Sequence, residues 1–109
     1  MGKFIWDEKN TAHIAEHGVT AREAEYIVEH ARNPYPMPHA ERKWLVRGRT
    51  ESGEYMQVIY VWESDAAIDY TEIDLLELTD SAEAIYVIHA RPLNEAEKRA
   101  FRKKRRGRR

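Results

Sequence analysis

The chain has 109 residues, 42% apolar and 34% charged, which suits one domain with one modest core and is too apolar for a disordered chain. It contains no cysteine, which excludes a disulfide framework and every thiolate metal site. The net charge of −1 hides a split: Lys98 to Arg109 holds nine Lys/Arg and no acid, so residues 1–97 set nine bases against all 19 acids and carry −10 against +9 in the tail.

No apolar stretch of signal-peptide length follows Met1, and no window approaches the roughly 18 apolar residues of a spanning helix. A cytoplasmic protein without membrane contact is expected. Lys3 to Trp6 reads as a short strand. Asp7 suits an N-cap, and a polar helix follows to about His17. Gly18 sits where a left-handed residue closes a helix, with apolar Val19 behind it. Thr20-Ala-Arg-Glu23 is a capping box, and the helix it opens carries Ala24, Ile27, Val28 and Ala31 on one face. Asn33-Pro34 stops that helix, and Pro34-Tyr-Pro-Met-Pro38 predicts a stiff, extended connector.

Residues 42–50 and 55–62 read as strands joined by Glu51-Ser-Gly-Glu54, with Gly53 marking the hairpin loop. In the second strand Met56, Val58, Tyr60 and Trp62 share one face, and Gln57, Ile59 and Val61 share the other. Both faces are therefore covered, as in a central strand. Segment 63–83 holds eight acids and no base; its Ile68, Ile73, Leu75, Leu76 and Leu78 suit an extra turn or strand. Residues 84–91 form a further strand ended by Pro92. Asn94 to Glu97 repeats the cap-to-glutamate spacing before a basic helix. The order β-α-α-β-β-β-α predicts an α+β domain over residues 1–97, with helices on one face of a small, mainly antiparallel sheet. Residues 98–109 follow as a basic helix or tail.

These residues resemble a known family. Phe4-Ile-Trp-Asp7, His13-Ile-Ala-Glu-His17-Gly18-Val19-Thr20 and Glu23-Ala24-Glu25 are similar to the opening signature of BrnT-type toxins. Arg42 with the strand reaching Gly48-Arg49-Thr50 resembles their middle. Val87-Ile-His-Ala-Arg91-Pro-Leu, with Glu97-Lys98 and a basic end, resembles their C-terminal block. The resemblance covers nearly everything except 63–83. It implies a RelE-like ribonuclease fold and cleavage of RNA without metal or other cofactor. It also implies a cognate antitoxin, ribbon-helix-helix-like, that neutralises the toxin and binds operator DNA through the complex. Phe101 stands where the family frequently has tyrosine, Tyr86 where an arginine is frequent, and His89 where serine often precedes the final Ala-Arg pair.

Metal-free RNA cleavage needs a base for the 2′-hydroxyl proton, an acid for the leaving 5′-oxygen, and a cation for the charged phosphorane. Histidine serves the first two near neutral pH, and the arginine fork matches two phosphate oxygens. Arg91 closes the last strand; it is either that cation or a surface arginine paired with Glu97. His89 shares a face with Arg91. It is an acid or base if that face is open, and a hydrogen-bonded core histidine if the face is packed. His13 and His17 lie i, i+4 on one helix face. That spacing suits zinc, but no third ligand follows from spacing, and Ile14 stands where a zincin motif needs glutamate; no metal is expected. His17 either moves protons or caps the helix end. The catalytic candidates are Arg91, His89, His17 and Glu97. Arg47 and Arg49 share a strand face, and with Lys98, Arg99, Arg102 and Lys103 they form the expected RNA-binding set. Tyr60, Trp6, Trp44 and Trp62 are expected to pack the core. A weakened or inactive protein of the same fold, binding nucleic acid or protein, is the alternative; Phe101, Tyr86 and the acidic body favour it.

Overall fold

The computed structural model describes residues 3–63 and 84–106. The elements are β1 (Lys3–Ile5), α1 (Glu8–Ala15), α2 (Ala21–Glu29), β2 (Met37–Ala40), β3 (Lys43–Arg49), β4 (Tyr55–Glu63), β5 (Ala84–Pro92) and α3 (Glu95–Arg106). The five strands make one sheet in the order β1-β5-β4-β3-β2. β1 runs parallel to β5, and the other three pairings are antiparallel. The fold is α+β with a mixed sheet.

Two expectations need correction. The connector after α2 contains a strand, β2, that pairs with β3 from Met37↔Leu45 to Ala40↔Lys43. Its prolines hid it. An edge strand tolerates proline because one side of its backbone has no ladder partner to lose. The second correction concerns the helices, which lie on both faces of the sheet. Adjacent strand residues point to opposite faces. A Cβ at Gly48 would come within 3.4 Å of the Ile27 side chain, so α2 covers the Gly48 face. The carboxylate of Glu97, in the first turn of α3, meets Arg47 at 3.6 Å on the opposite face.

Helix ends follow the sequence signals. Asp7 caps α1, receiving the Asn10 amide while the Asn10 side chain receives the Asp7 amide. Gly18 has φ +77. Its amide donates to Ala15 and the Val19 amide donates to Ile14, the paired bonds of a Schellman stop. Thr20 and Glu23 close the predicted capping box on α2, and Asn94 and Glu97 close the one on α3. The domain boundary drawn between residues 97 and 98 falls inside α3.

The core is built from Ile14 and Val19, the α2 stripe Ala24, Ile27 and Val28, and Val46, Met56, Val58, Tyr60, Ile85, Val87 and Ala90 of the sheet. Phe4, Trp6, Trp44 and Trp62 pack half-buried against it, as expected of the tryptophans. Trp6 is also tied to α2 by a 2.7 Å bond from its indole N–H to Glu25. Among the described residues no helix is long and apolar enough to cross a membrane. The turn or strand expected beyond Glu63, up to residue 83, lies outside the described residues.

One irregularity positions the site. Tyr60 pairs with Val87, but Ile59 pairs with His89, so Ile88 is an extra residue on β5. Without that bulge His89 would lie on the same face as Val87, in the core. With it, His89 turns to the Ile59 face together with Arg91, which pairs with Gln57.

Candidate functional site

Arg47, Gln57 and Arg91 form one row across β3, β4 and β5. Gln57 is buried, and its side-chain oxygen accepts from Arg47 Nε at 2.9 Å. Glu97 stands over the row. Arg91 donates from Nη1 and Nη2 to the two Glu97 oxygens at 2.8 and 2.7 Å, and from Nη1 to the Pro92 carbonyl at 3.1 Å. The Asn94 amide donates to Glu97 at 2.9 Å. These donors, Arg91 first and the Asn94 amide next, hold the Glu97 carboxyl at about 2. The same hydrogen bond pushes the Arg91 guanidinium further up. Arg91 makes the Glu97 pair that the sequence offered as one alternative, and the pair leaves part of the guanidinium for the other. A guanidinium has five N–H donors in fixed directions. Glu97 and Pro92 take three. The Nε–H and the outer Nη2–H, which form a side-facing fork, meet no partner among the described residues.

The second cluster joins α1 to β5. His13 lies in the last turn of α1, which packs along β5, and His17 lies in the turn that closes the helix. His13 Nε2 lies 3.4 Å from His89 Nδ1. The ring centroids are 5.9 Å apart for His13 and His17, 5.5 Å for His13 and His89, and 5.2 Å for His17 and His89. One nitrogen from each ring falls within 4.8 Å of the others. The third nitrogen that spacing along α1 did not provide comes from β5. Burial of His89 lowers its pKa, and the facing His17, His13 and Arg91 lower it further; its neutral form is favoured. Arg91 is two residues along the same strand face, about 7 Å from His89 by strand rise.

The remaining candidates divide. Arg49 and Arg102 both approach the ring of Tyr55, at 5.3 and 5.6 Å from its centroid. The tail and the β3 arginines therefore meet on the Arg91 side of the sheet. Lys98 is half-buried and pairs with Glu95 at 3.2 Å, while Arg99 and Lys103 are exposed. Tyr60 is buried at 2% exposure, as expected. Phe101 is 4% exposed, its ring 6.0 Å from Tyr35 and 5.8 Å from Tyr55; it fastens α3 to the sheet. Tyr86 donates its hydroxyl to Asp7 at 2.9 Å. The Asn10 amide, and secondarily that hydroxyl, hold the Asp7 carboxyl below its ordinary value.

Sequence reasoning set His13 aside as a metal ligand and gave it no other role; the missing signal is the bulge. It shows in the burial of the folded strand as a break in period two, with Ile85 and Val87 buried and then Ala90 rather than residue 89. Comparison with protein-family models, with curated proteins and with solved structures yields no match. Among the described residues the arrangement offers three neighbouring imidazoles, one oriented guanidinium with a two-donor fork open, and a fringe of cations. That set can bind a phosphodiester and move protons on both of its sides.

Proposed function

We propose that this chain is a BrnT-like toxin of a toxin–antitoxin module, an endoribonuclease that cuts RNA without metal and is neutralised by a cognate antitoxin in the cytoplasm. The antitoxin and the RelE-like fold rest on the sequence resemblance. The observation that carries the chemistry is the placement of His89 and Arg91 on one sheet face with His17 against His89.

His89, favoured in its neutral form, takes the proton from the 2′-hydroxyl. The freed oxygen attacks the adjacent phosphorus. The open fork of Arg91 receives two non-bridging oxygens as charge builds on the phosphorane. His17 in its protonated form donates to the departing 5′-oxygen, leaving a 2′,3′-cyclic phosphate and a 5′-hydroxyl. Glu97 touches no reacting atom in this scheme. It is a positioning residue that fixes the plane of the Arg91 guanidinium. Arg47, Arg49, Arg102 and the outer tail cations hold the flanking phosphates.

One observation favours the alternative of a weakened, nucleic-acid-binding protein: Glu97 already occupies the end-on face of Arg91. Induced expression with growth and RNA integrity followed together separates the two. The toxin reading expects growth arrest and RNA fragmentation with the wild-type chain and neither with Arg91→Ala at equal protein level. Intact RNA during wild-type expression would leave the binding reading in its place.

A further inference from the structure

We propose that His13, His17 and His89 form a binding site for one divalent transition-metal ion of the zinc class, with the fourth position open to water. The inference does not depend on RNA cleavage, and its test contains no RNA; an ion held there would occupy the imidazoles of His17 and His89 and so oppose the proton transfers proposed above.

Zinc bound by imidazole takes Zn–N bonds of about 2.0–2.1 Å in tetrahedral geometry, which sets neighbouring ligand nitrogens about 3.3 Å apart. His13 Nε2 and His89 Nδ1 already lie 3.4 Å apart. One nitrogen from each of the three rings lies within 4.8 Å of the others, and His17 is an exposed side chain in the turn after α1, so rotation of its ring draws the set together. The elements fix the geometry. The turn that closes α1 sets the His17 ring edge-on to the His13 ring, their centroids 5.9 Å apart. The β5 bulge turns the third ring toward them rather than into the core. The 3.4 Å contact suits either a hydrogen bond, with one ring nitrogen donating and the other accepting, or a shared metal ion.

The donor set also selects the ion. Three neutral imidazoles with no thiolate and no carboxylate suit Zn²⁺, Co²⁺, Ni²⁺ or Cu²⁺ and suit Mg²⁺ or Ca²⁺ poorly. The nearby Arg91 charge is offset by Glu97. The solvent-facing side of His13 and His17 leaves room for the water that completes an open three-histidine site.

The test is titration of the full chain with zinc chloride at about pH 7.5, where imidazole is neutral, by calorimetry and by imidazole NMR. One ion per chain is expected. The signals of His13, His17 and His89 shift, and those of His30 and His39 do not. His13→Ala, His17→Ala and His89→Ala should each weaken binding about a hundredfold or more, since even outer-shell partners of a metal are worth 10–100-fold. His39→Ala binds like wild type. Magnesium in place of zinc leaves all five signals still. If His89→Ala fails to fold, the exposed pair His13→Gln and His17→Gln carries the test. Absence of stoichiometric binding, binding that survives loss of His13 and His17, or shifts at His30 and His39 would overturn the site.

Discussion

Arg91 and Glu97 meet across the turn between β5 and α3, two guanidinium nitrogens on two carboxylate oxygens at 2.8 and 2.7 Å. The pair does three jobs with one carboxylate. Glu97 closes the capping box of α3, anchors that helix over the sheet, and sets the plane in which Arg91 presents its remaining donors.

Replacing Glu97 by glutamine tests which of these matters for chemistry. If Glu97 orients Arg91, kcat for RNA cleavage should fall by about tenfold while RNA binding holds, since the guanidinium keeps its charge but loses its fixed plane. If Glu97 instead masks Arg91, kcat should rise. Single-turnover cleavage beside a binding isotherm reads the difference.

The same carboxylate makes stability depend on pH. Its folded pKa of about 2 lies below the ordinary 4.5, so the native state binds its proton less readily than the unfolded chain. The contribution is complete above about pH 4.5 and is lost as pH falls toward 2. With solvent screening it amounts to about 1 kcal/mol. Urea midpoints of wild type and Glu97→Gln should differ at neutral pH and converge near pH 2; a constant gap would contradict the assignment.

Gly18 closes α1 in a backbone conformation that other residues adopt at a cost, at φ +77, with no atom near a would-be Cβ. Gly18→Ala should therefore destabilise the fold by about 1–2 kcal/mol through backbone strain alone, and Gly18→Asn by less. Thermal unfolding measures both. Because Gly18 follows His17, loss of the turn should also disturb the contact with His89.

Phe101 is core, so truncation of the tail must stop after it. Removing residues 102–109 deletes seven positive charges and the Arg102 contact with Tyr55. Affinity for RNA at low salt should drop at least about tenfold, and the slope of log affinity against log salt should flatten. Unchanged affinity and slope would assign the tail no part in RNA binding.

Caps and stripes were legible because their signals are local. Asp7, Thr20-Glu23, Gly18 and Asn94-Glu97 each act within a few residues, and each appears in the fold as the sequence indicates. β2 was hidden because proline argues against strands, while the edge position that excuses it depends on where β3 lies. The face of α3 was hidden because it is set by partners far off in sequence, Tyr35 and Tyr55 against Phe101 and Arg47 beside Glu97. Arg91 and His89 were named as candidates sharing a face. Their join to His13 and His17 was not legible, because it needs both a bulge and the packing of α1 on β5, and neither leaves a strong pattern in one chain.

The most direct test of the central claim is the chemistry of the cut ends. A defined RNA oligonucleotide incubated with the purified chain in excess chelator, with products weighed by mass spectrometry, should yield 2′,3′-cyclic phosphate and 5′-hydroxyl ends. The rate should fall about a hundredfold or more in Arg91→Ala, and it should also fall in His89→Ala. No cleavage in chelator, or 3′-hydroxyl and 5′-phosphate ends, would contradict the account.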